Sequence, residues 1–598
     1  MASKIRITKQ DDLPRHNYPI SGKVCELISS IDSFTPFASK VRLDIESDLK
    51  NYDIADKTTL KNLYTILMML DVIEGHLESV LSHLEIVKQQ EDKEASRLTG
   101  SLEIEAHIAT LSELKNSELD ENYLQTFRRH YSKKIVELPW HLISGEVKSL
   151  KGQAETLNKN ILLGMIDQYL QPMADSNGAI NRSGAAMIVS SFYAIFKQLP
   201  VKNIVIDSLQ CYINQHQEKK PNIWPARSID LTHSAFKLNP VNIAIWDSGV
   251  DMNVFKDGLK IKENSDREFV EDLHHIAYDM HWNRTKGLLA PMSDATRPIE
   301  DIQADFKGFF DLIAALDTPE SQAIKQKIAD LKQEDVKSFI EDFTRYASYS
   351  HGTHVSGIAI EGNPAASLIT ARLSSNPSMK PYPPSIEEAI RAASAFKDVV
   401  NFFKDRNVRV VNMSWVMTKS SFEHALEVNG IGSSAEERKS KARELFEIYK
   451  KGLINAISSA PDILFIGGAG NSNNNVAFDE FIPSMFDLKN LLIAGAVDQA
   501  GDPTSFTSFG PTVNVYSNGF EVESKVPGGC LMKLSGTSMA APNITNLAAK
   551  LLSINSALTP SELIQLIKEG SEERRKGDLV MRIIHPQQSL KLLQKKSL

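Results

Sequence analysis

Cysteine is scarce in this chain. Among 598 residues only Cys25, Cys211 and Cys530 carry thiols, and they lie far apart and are odd in number. Small secreted domains that rely on disulfides contain more cysteines, spaced as a framework. The composition therefore excludes a disulfide-stapled scaffold and favours a reducing compartment.

Apolar runs of membrane or signal-peptide length are also missing. Residues 1–10 are partly basic, but no apolar core follows them. The cluster from Leu63 to Ile73 contains Asp71 and is too short to span a bilayer. We expect a cytoplasmic protein without a membrane span, with non-classical export left open.

A basic surface is the third absence. The formal net charge is −8, and no basic run with interleaved aromatic residues occurs. This excludes a general nucleic-acid-binding protein. The hydrophobic fraction of 42% is sufficient for large packed cores.

One segment displays a serine in the way that a nucleophile requires. In residues 534–542, Gly536 permits a tight turn before Ser538, and small and apolar residues after it predict a buried helix. Backbone N–H groups at a helix N-terminus favour a developing negative charge. A serine hydroxyl is a weak nucleophile, so a base and a group that orients the base are needed as well.

Candidates for both partners lie upstream. His351 stands in the sequence Ser-His-Gly-Thr-His, before a run of small residues that predicts a closely packed helix. Asp247 ends the apolar run from Val241 to Trp246, where a buried strand would emerge. A carboxylate there can hold an imidazole in one tautomer and stabilise its charged form. Alternatives are a metal pair made by His351 and His354, or an aspartate that merely ends a strand.

A fourth segment supplies an amide. Residues 464–471 read as a buried strand that ends in small residues and Asn471, whose side chain can donate a hydrogen bond to an oxyanion. These segments, in the order Asp247, His351, Asn471 and Ser538, resemble the signature motifs of the subtilisin-like serine peptidases. The resemblance implies an α/β fold with a parallel sheet flanked by helices, and an Asp-His-Ser triad that cleaves peptide bonds.

The resemblance also implies a substrate cleft. Val410 to Ser414 look like the strand that borders the cleft in this family, where extended peptide adds by backbone hydrogen bonds. The predicted substrate-binding residues are Ser414, Trp415, Val416, Gly468, Ala469 and Gly470. Trp415 and Val416 stand where the family usually has Leu and Gly, so the shape of the first specificity pocket is left open. Residues 543–546 depart from the family pattern too, and we expect only local adjustment there.

The interval between Asp247 and His351 is longer than in minimal members of the family, which predicts an insertion at about 252–346. We expect helices over 268–278 and from Ile299 to Tyr346, with breaks near Thr318-Pro319 and at 333–335. Such a lobe would overhang the cleft. His274, His275, Asp279 and His281 invite a metal hypothesis, but their spacing matches no recognised zinc site, and surface histidines are the simpler interpretation.

Residues 1–235 contain no recognised motif, and periodicity predicts an α-helical domain of unknown role. One long amphipathic helix is expected over 60–87, and further helices at about 102–132, 147–172 and 182–198, the last capped by Ser183. A surface for a protein partner is one interpretation, and an ordinary bundle core is the other. Charge and two prolines in residues 217–225 predict a linker to the peptidase domain, residues 236–598.

The sequence thus predicts a serine endopeptidase that acts on a protein or peptide substrate through an acyl-enzyme on Ser538. Two alternatives stay open: an inactive scaffold of the same fold, and an esterase or ligase that uses the same triad. No cofactor is required for this chemistry and no metal site is assigned, although structural calcium of the kind found in the family is compatible with the chain.

Overall fold

A computed structural model describes residues 4–115, 119–216, 220–255, 274–576 and 579–596. The strands of the main sheet fall between Val241 and Ile583, whereas the described residues before 217 are mostly helical. We call residues 1–235 the helical half and residues 236–598 the sheet half. The predicted fold class, an α/β sheet flanked by helices after a helical region, is confirmed.

Within the described part of the chain the main sheet contains ten strands. Eight neighbouring strands run parallel, and one antiparallel strand closes each edge, which was not predicted. In spatial order the strands are Glu572–Lys576, Leu579–Ile583, Val513–Asn518, Leu491–Val497, Leu464–Gly468, Val408–Met413, Val241–Asp247, Ala366–Leu373, His275–Tyr278 and Arg284–Thr285. Because parallel strands end at the same edge, the residues after Trp246, Met413 and Gly468 meet there.

Side chains of the central strand Val241–Asp247 alternate between two helix layers. Ile243 and Ile245 pack with the histidine helix (Val336–Ile360) and the serine helix (Thr537–Ile554), whereas Trp246 faces the other layer. A strand buried on both faces reads as a continuous apolar run, as this one does. The two layers therefore fix the strand that carries Asp247.

The sheet half contains further helices and short strand pairs. Its helices are Ile299–Ile313, Pro319–Asp330, Val336–Ile360, Ile386–Asp405, Lys419–Val428, Ala435–Ser458, Thr537–Ile554, Pro560–Gly570 and Pro586–Lys596. Among its described residues, two antiparallel pairs lie outside the main sheet: Met417–Thr418 with Phe481–Ile482, and Val522–Lys525 with Leu531–Leu534.

The helical half is a bundle with two small strand pairs. Its helices are Ile31–Asn51, Lys57–Glu74, Leu77–Gln89, Glu94–Thr99, Leu102–Leu114, Glu121–Val136, Trp140–Thr156, Lys159–Tyr169, Gln171–Asn177, Arg182–Tyr193, Leu199–Gln215 and Trp224–Arg227. Ile5–Ile7 pairs with Tyr52–Ile54, and Asn17–Pro19 pairs with Ala179–Asn181. Buried Val428 and Phe478 of the sheet half belong to one of the bundle's cores, so the two halves pack together directly.

Two details of the helical prediction are wrong. The expected helix over 60–87 is broken, because Gly75 adopts a left-handed conformation (φ 79°) that ends Lys57–Glu74. Asn181, and not Ser183, caps the helix that starts at Arg182, since its side-chain oxygen accepts from the N–H of Gly184 at 2.9 Å.

The other predicted helical stretches are each divided. The stretch at 102–132 forms Leu102–Leu114 and Glu121–Val136, with residues 116–118 outside the described ones. The stretch at 147–172 is divided at Asn158, whose side-chain oxygen accepts from two backbone N–H groups and starts a new helix.

The insertion is partly as predicted. Thr318 caps the helix that begins with Pro319, and a short 3₁₀ turn occupies Gln333–Asp335, so both expected breaks are confirmed. The helix expected over 268–278 is wrong for His275–Tyr278, which forms a strand beside Ala366–Leu373; residues 268–273 lie outside the described ones. A Cβ added at Gly152 of the helical half would lie 2.6 Å from Ile313, so the insertion packs closely against the bundle.

The segment predicted as a linker is bound to the sheet half where it is described, from residue 220 onward. Lys220 forms an ion pair with Asp498 at 2.6 Å, and the indole of Trp224 donates to the Asp498 carbonyl at 3.2 Å. A π-helical stretch at Ala194–Gln198 joins Arg182–Tyr193 and Leu199–Gln215 into one helix. This helix is long and apolar enough to cross a membrane, but half of its most apolar window is buried in the protein, as in a bundle core.

Candidate active site

Asp247 lies at the carboxyl end of the central strand and is 4% exposed. Its Oδ1 accepts a hydrogen bond from the N–H of Ser248 at 2.7 Å. The same oxygen contacts His351 Nδ1, also at 2.7 Å. Among the described residues, Oδ2 has no hydrogen-bond partner. The carboxylate is therefore oriented by its own strand end and directed at one imidazole.

His351 lies inside the histidine helix, not before its first turn as the motif had indicated. The helix can pass this close to the strand end because residue 352 is glycine: a Cβ there would lie 2.2 Å from the Gly249 carbonyl oxygen. Since Nδ1 faces the carboxylate, Nε2 is left to accept a proton. The side chain remains 28% exposed.

Electrostatics favour the protonated form of this imidazole. Burial alone would lower the pKa of His351, but the charge of Asp247 and its hydrogen bond outweigh burial and raise the pKa above 6.5. An imidazole with a raised pKa is a stronger base once it has lost its proton. The pair can therefore accept a proton from a nearby hydroxyl.

Ser538 is the second residue of the serine helix and is partly exposed. Its Oγ donates to the Ser414 carbonyl at 3.3 Å, and Ser414 Oγ donates back to the Ser538 carbonyl at 2.9 Å. Within the described part of the chain, no hydrogen bond joins Ser538 to His351. The serine helix and the histidine helix pack against each other, which brings the two segments together.

Asn471 follows the strand Leu464–Gly468 and has an exposed side chain. Its Oδ1 accepts from the N–H and the hydroxyl of Thr537, at 2.9 and 3.1 Å. A backbone N–H can only donate, so these bonds fix which end of the amide is oxygen. Nδ2 makes no hydrogen bond with any described residue. A Cβ added at Gly536, two residues before Ser538, would lie 3.3 Å from this nitrogen, so the amide is close to the nucleophile turn.

The predicted cleft residues after the strand Val408–Met413 point in different directions. Ser414 contacts Ser538 as described above. The indole of Trp415 donates to the Trp246 carbonyl at 2.8 Å and meets the Trp246 ring edge-on, with centroids 5.4 Å apart. Val416 is partly buried, and the chain then pairs with Phe481 and Ile482. Trp415 is thus tied to the end of the central strand.

Gly468, Ala469 and Gly470 are buried beneath the start of the serine helix. The N–H of Gly470 donates to the Thr537 hydroxyl at 3.0 Å. Gly470 has φ 110°, and a Cβ there would lie 3.0 Å from the ring of Phe481. Sequence reasoning missed Phe481, because no local signal places its ring beside a glycine eleven positions earlier.

Residues 543–546, which depart from the family pattern, pack against neighbouring elements of the sheet half. Asn546 Nδ2 donates to the carbonyls of Ala359 and Glu361, and Thr545 hydrogen-bonds with Asn412 at 3.2 Å. These bonds link the serine helix to the histidine helix and to the neighbouring strand.

The four residues of the metal hypothesis do not gather into one site. Both ring nitrogens of His275 are engaged, with the Thr370 hydroxyl at 2.9 Å and the Gly287 carbonyl at 2.7 Å. His281 contacts Glu388 at 3.1 Å, and Asp279 accepts from backbone N–H groups of its own turn. His354 contacts the Met532 carbonyl at 3.0 Å, away from His351.

One cluster with metal-ligand geometry does occur among the described residues, in the helical half. It consists of Asp71, Glu74 and His76. Arg42 occupies it, with nitrogen atoms 2.7 Å from Asp71 and 2.8 Å from Glu74. An arginine in contact with both carboxylates already offsets one of their two negative charges.

Comparison with known proteins gives one family. A family model described as the subtilase family matches residues 239–582. The thermostable alkaline protease of Halalkalibacterium halodurans is 26% identical over 244 residues, 40% of this chain and 57% of that protein. The thermophilic serine proteinase of Bacillus sp. (strain AK1) is 27% identical over 207 residues, 34% of this chain and 43% of that protein. The matches thus span about half of each relative.

Solved structures match over a larger share of the chain. A cold adapted subtilisin-like serine proteinase covers 60% of this chain and 94% of its own, at 18% identity and a TM-score of 0.33. A lanthipeptide protease covers 60% of this chain and 89% of its own, at 14% identity and a TM-score of 0.37.

Proposed function

The chain belongs to the subtilase family, and from that membership we propose that it is a serine endopeptidase acting through an acyl-enzyme on Ser538. The observation that carries the proposal is the contact between Asp247 and His351, made through Nδ1 and accompanied by a raised imidazole pKa. An orienting carboxylate behind a base is the arrangement that activates a hydroxyl nucleophile.

In the proposed reaction, His351 Nε2 removes the hydroxyl proton as Ser538 Oγ attacks a peptide carbonyl. Asp247 holds the ring in place and stabilises the imidazolium. His351 then gives the proton to the leaving amine, and water hydrolyses the ester by the same sequence. Ser538 Oγ donates a hydrogen bond to the Ser414 carbonyl, and nucleophile–base hydrogen bonds often form fully only when substrate binds.

The negative charge on the carbonyl oxygen would be stabilised by Asn471 Nδ2 and the N–H of Ser538. Asn471 suits this role because Thr537 fixes its oxygen and its N–H groups are unpaired among the described residues. The backbone N–H of Ser538 lies in the first helical turn, where such groups lack partners within the helix.

Substrate would lie along Ser414 to Val416, beside the buried segment formed by Gly468, Ala469 and Gly470. An extended peptide can add to a free strand end by backbone hydrogen bonds. Phe481, whose ring lies against Gly470, would then limit the side chains that fit. The substrate class is proposed as protein or peptide.

Three further assignments are proposals. The chemistry described uses no metal or cofactor. The three cysteines are free, which supports a reducing, cytoplasmic location. The helical half provides a surface for a protein partner in addition to its contacts with the sheet half.

The proposal is tested by Ser538→Ala in the full chain. We expect loss of peptide cleavage and of covalent labelling by a fluorophosphonate, with the melting temperature retained. The matched control is Ser556→Ala, an exposed serine of the sheet half, which should be labelled like the wild type. Equal labelling of the Ser538→Ala protein would show that another residue is the nucleophile.

A further inference from the structure

The helical half contacts the sheet half at the segment that carries Asn471. The Thr58 hydroxyl donates to the Asn473 carbonyl at 2.9 Å, two residues from Asn471. The N–H of Gln10 donates to the Phe478 carbonyl at 3.0 Å, and the Phe478 ring, 4% exposed, packs into a core of the bundle. The segment 471–481 is thus held from the side of the helical half.

A buried lysine makes the second connection. Lys93 is 3% exposed, and its Nζ donates to the carbonyls of Ser505 at 2.6 Å and Thr507 at 2.9 Å. Burial lowers its pKa to about 7, with Glu91, Lys61 and Glu146 as the charged groups nearby. Burying an ammonium group is costly unless its N–H groups find acceptors, and two carbonyls of one loop accept two of the three here.

The loop that Lys93 holds is bonded to both neighbours of Asn471. The N–H of Ser508 donates to the Gly470 carbonyl at 2.9 Å, and Ser508 Oγ accepts from the N–H of Ser472 at 3.2 Å. Asn473 donates its N–H to the Phe506 carbonyl at 2.9 Å. A shift of this loop would therefore shift the backbone on each side of Asn471.

We infer that Lys93 is a positioning residue for the oxyanion donor: by holding residues 505–508 it sets the backbone around Asn471, so that the helical half completes a site whose reacting groups all lie in the sheet half. The inference rests on the proposed function. Displacing a positioned catalytic group by about 1 Å can cost up to about 10²-fold in rate. A purely structural lysine would affect stability and leave the chemistry of the folded enzyme unchanged.

The first test is Lys93→Met, which keeps the length and apolar stem of the side chain and removes its donors. We expect kcat to fall about 10- to 100-fold while KM stays within about twofold, because an oxyanion donor acts in the transition state. Lys133→Met, at an exposed lysine of the same half, is the control and should keep both constants. A folded Lys93→Met enzyme with wild-type kcat would overturn the inference.

A double-mutant cycle tests whether Lys93 acts through Asn471. If it does, Lys93→Met should lower kcat by less than about twofold in an Asn471→Ala background, since the donor it positions is gone. Multiplication of the two single effects would mean that Lys93 acts elsewhere and would refute the inference.

A second variant covers the case in which Lys93→Met does not fold. Thr58→Val is nearly isosteric and removes the hydroxyl that contacts the Asn473 carbonyl. We expect kcat to fall about three- to tenfold, with KM and melting temperature nearly unchanged. The control Thr65→Val is on the same helix and removes a hydroxyl that, among the described residues, hydrogen-bonds to the Lys61 carbonyl alone, so it should behave as wild type. Equal kcat for Thr58→Val and Thr65→Val would contradict the inference.

Comparing the Ser538→Ala variant with the Lys93 and Thr58 variants distinguishes failure of the proposed function from failure of the inference. If cleavage does not depend on Ser538, the proposed function fails and the inference fails with it. If cleavage depends on Ser538 but kcat is insensitive to Lys93 and Thr58, only the inference fails.

Discussion

The proposed site has two parts, a base arm formed by Asp247 and His351 and an oxyanion arm formed by Asn471, and different parts of the chain support them. The arm formed by Asp247 and His351 is fixed within the sheet half, where Gly352 packs against Gly249 and the N–H of Ser248 orients the carboxylate. The helical half reaches the histidine helix at Val336, which packs on Gly164, and just beyond its other end, where the N–H of Leu231 donates to the Gly362 carbonyl at 2.8 Å. Val336 lies 15 residues before His351, or about 22 Å along the helix, and Gly362 lies 11 residues after it.

The arm formed by Asn471 differs, since residues of the helical half contact its surroundings within two residues. Thr58 bonds to Asn473, and Lys93 bonds to the loop that holds Gly470 and Ser472. The base arm should therefore depend less on the helical half than the oxyanion arm does. Substitutions in the base arm should change both kcat and its dependence on pH, whereas substitutions in the oxyanion arm should change kcat alone.

The largest effect is expected for Asp247→Asn, which acts on the base arm. Loss of the carboxylate removes the charge that stabilises the imidazolium, and kcat should fall by about 10⁴. Activity requires neutral His351, so it is lost as pH falls through the raised pKa of that group. Without Asp247 the pKa drops, and the acid limb of kcat/KM should move to lower pH.

The measurement is a pH profile of kcat/KM for the variant and wild type. Asp462→Asn, at an exposed aspartate without a described ion pair, should leave the profile unchanged. An acid limb that stays in place in Asp247→Asn would mean that another group titrates.

Asn471→Ala should have a smaller effect of a different kind. Removing one oxyanion donor costs about 10² to 10³ in kcat. The acid limb should stay where it is, because Asp247 and His351 are supported separately. Asn401→Ala, on the helix Ile386–Asp405, is the control and should retain wild-type kcat. A shifted acid limb in Asn471→Ala would show that the arms are coupled and would break the comparison.

The sequence predicted the parts of the site that depend on local pattern. The strand that ends at Asp247 is a nearly continuous apolar run, and glycine with small residues indicates the turn before Ser538. Both elements could therefore be predicted without a structure. The helix start at Thr318-Pro319 was predictable for the same reason, since a capping side chain and a proline act within one turn.

Contacts between distant residues could not be predicted in this way. Lys93 and Ser505 are 412 positions apart, and nothing near either residue indicates the other. His275 to Tyr278 were misassigned because four residues are too few to distinguish helical from strand periodicity, and a neighbouring strand decided the outcome. Gly75 was passed over because a glycine within an apolar pattern can either be tolerated or end the helix.

The smallest expected effect concerns the junction of the two halves. Asp479 lies in the segment after Asn471, where burial raises its pKa to about 6, the Asn474 amide lowers it, and the Asp56 carboxylate of the helical half raises it further. The folded protein therefore holds this proton more tightly than the unfolded chain. As pH rises from about 4 to about 6, this group lowers stability, and the penalty persists at higher pH.

Asp479→Asn removes that charge and keeps an oxygen for the Asn474 amide to donate to. We expect it to stabilise the protein by about 1 kcal/mol at pH 7.5 and hardly at all at pH 4, with kcat unchanged. Denaturation with urea at the two pH values measures this, and Asp462→Asn should show no such difference. If the stabilisation were equal at both values, Asp479 would already be ionised throughout the range, and the junction would carry no buried proton.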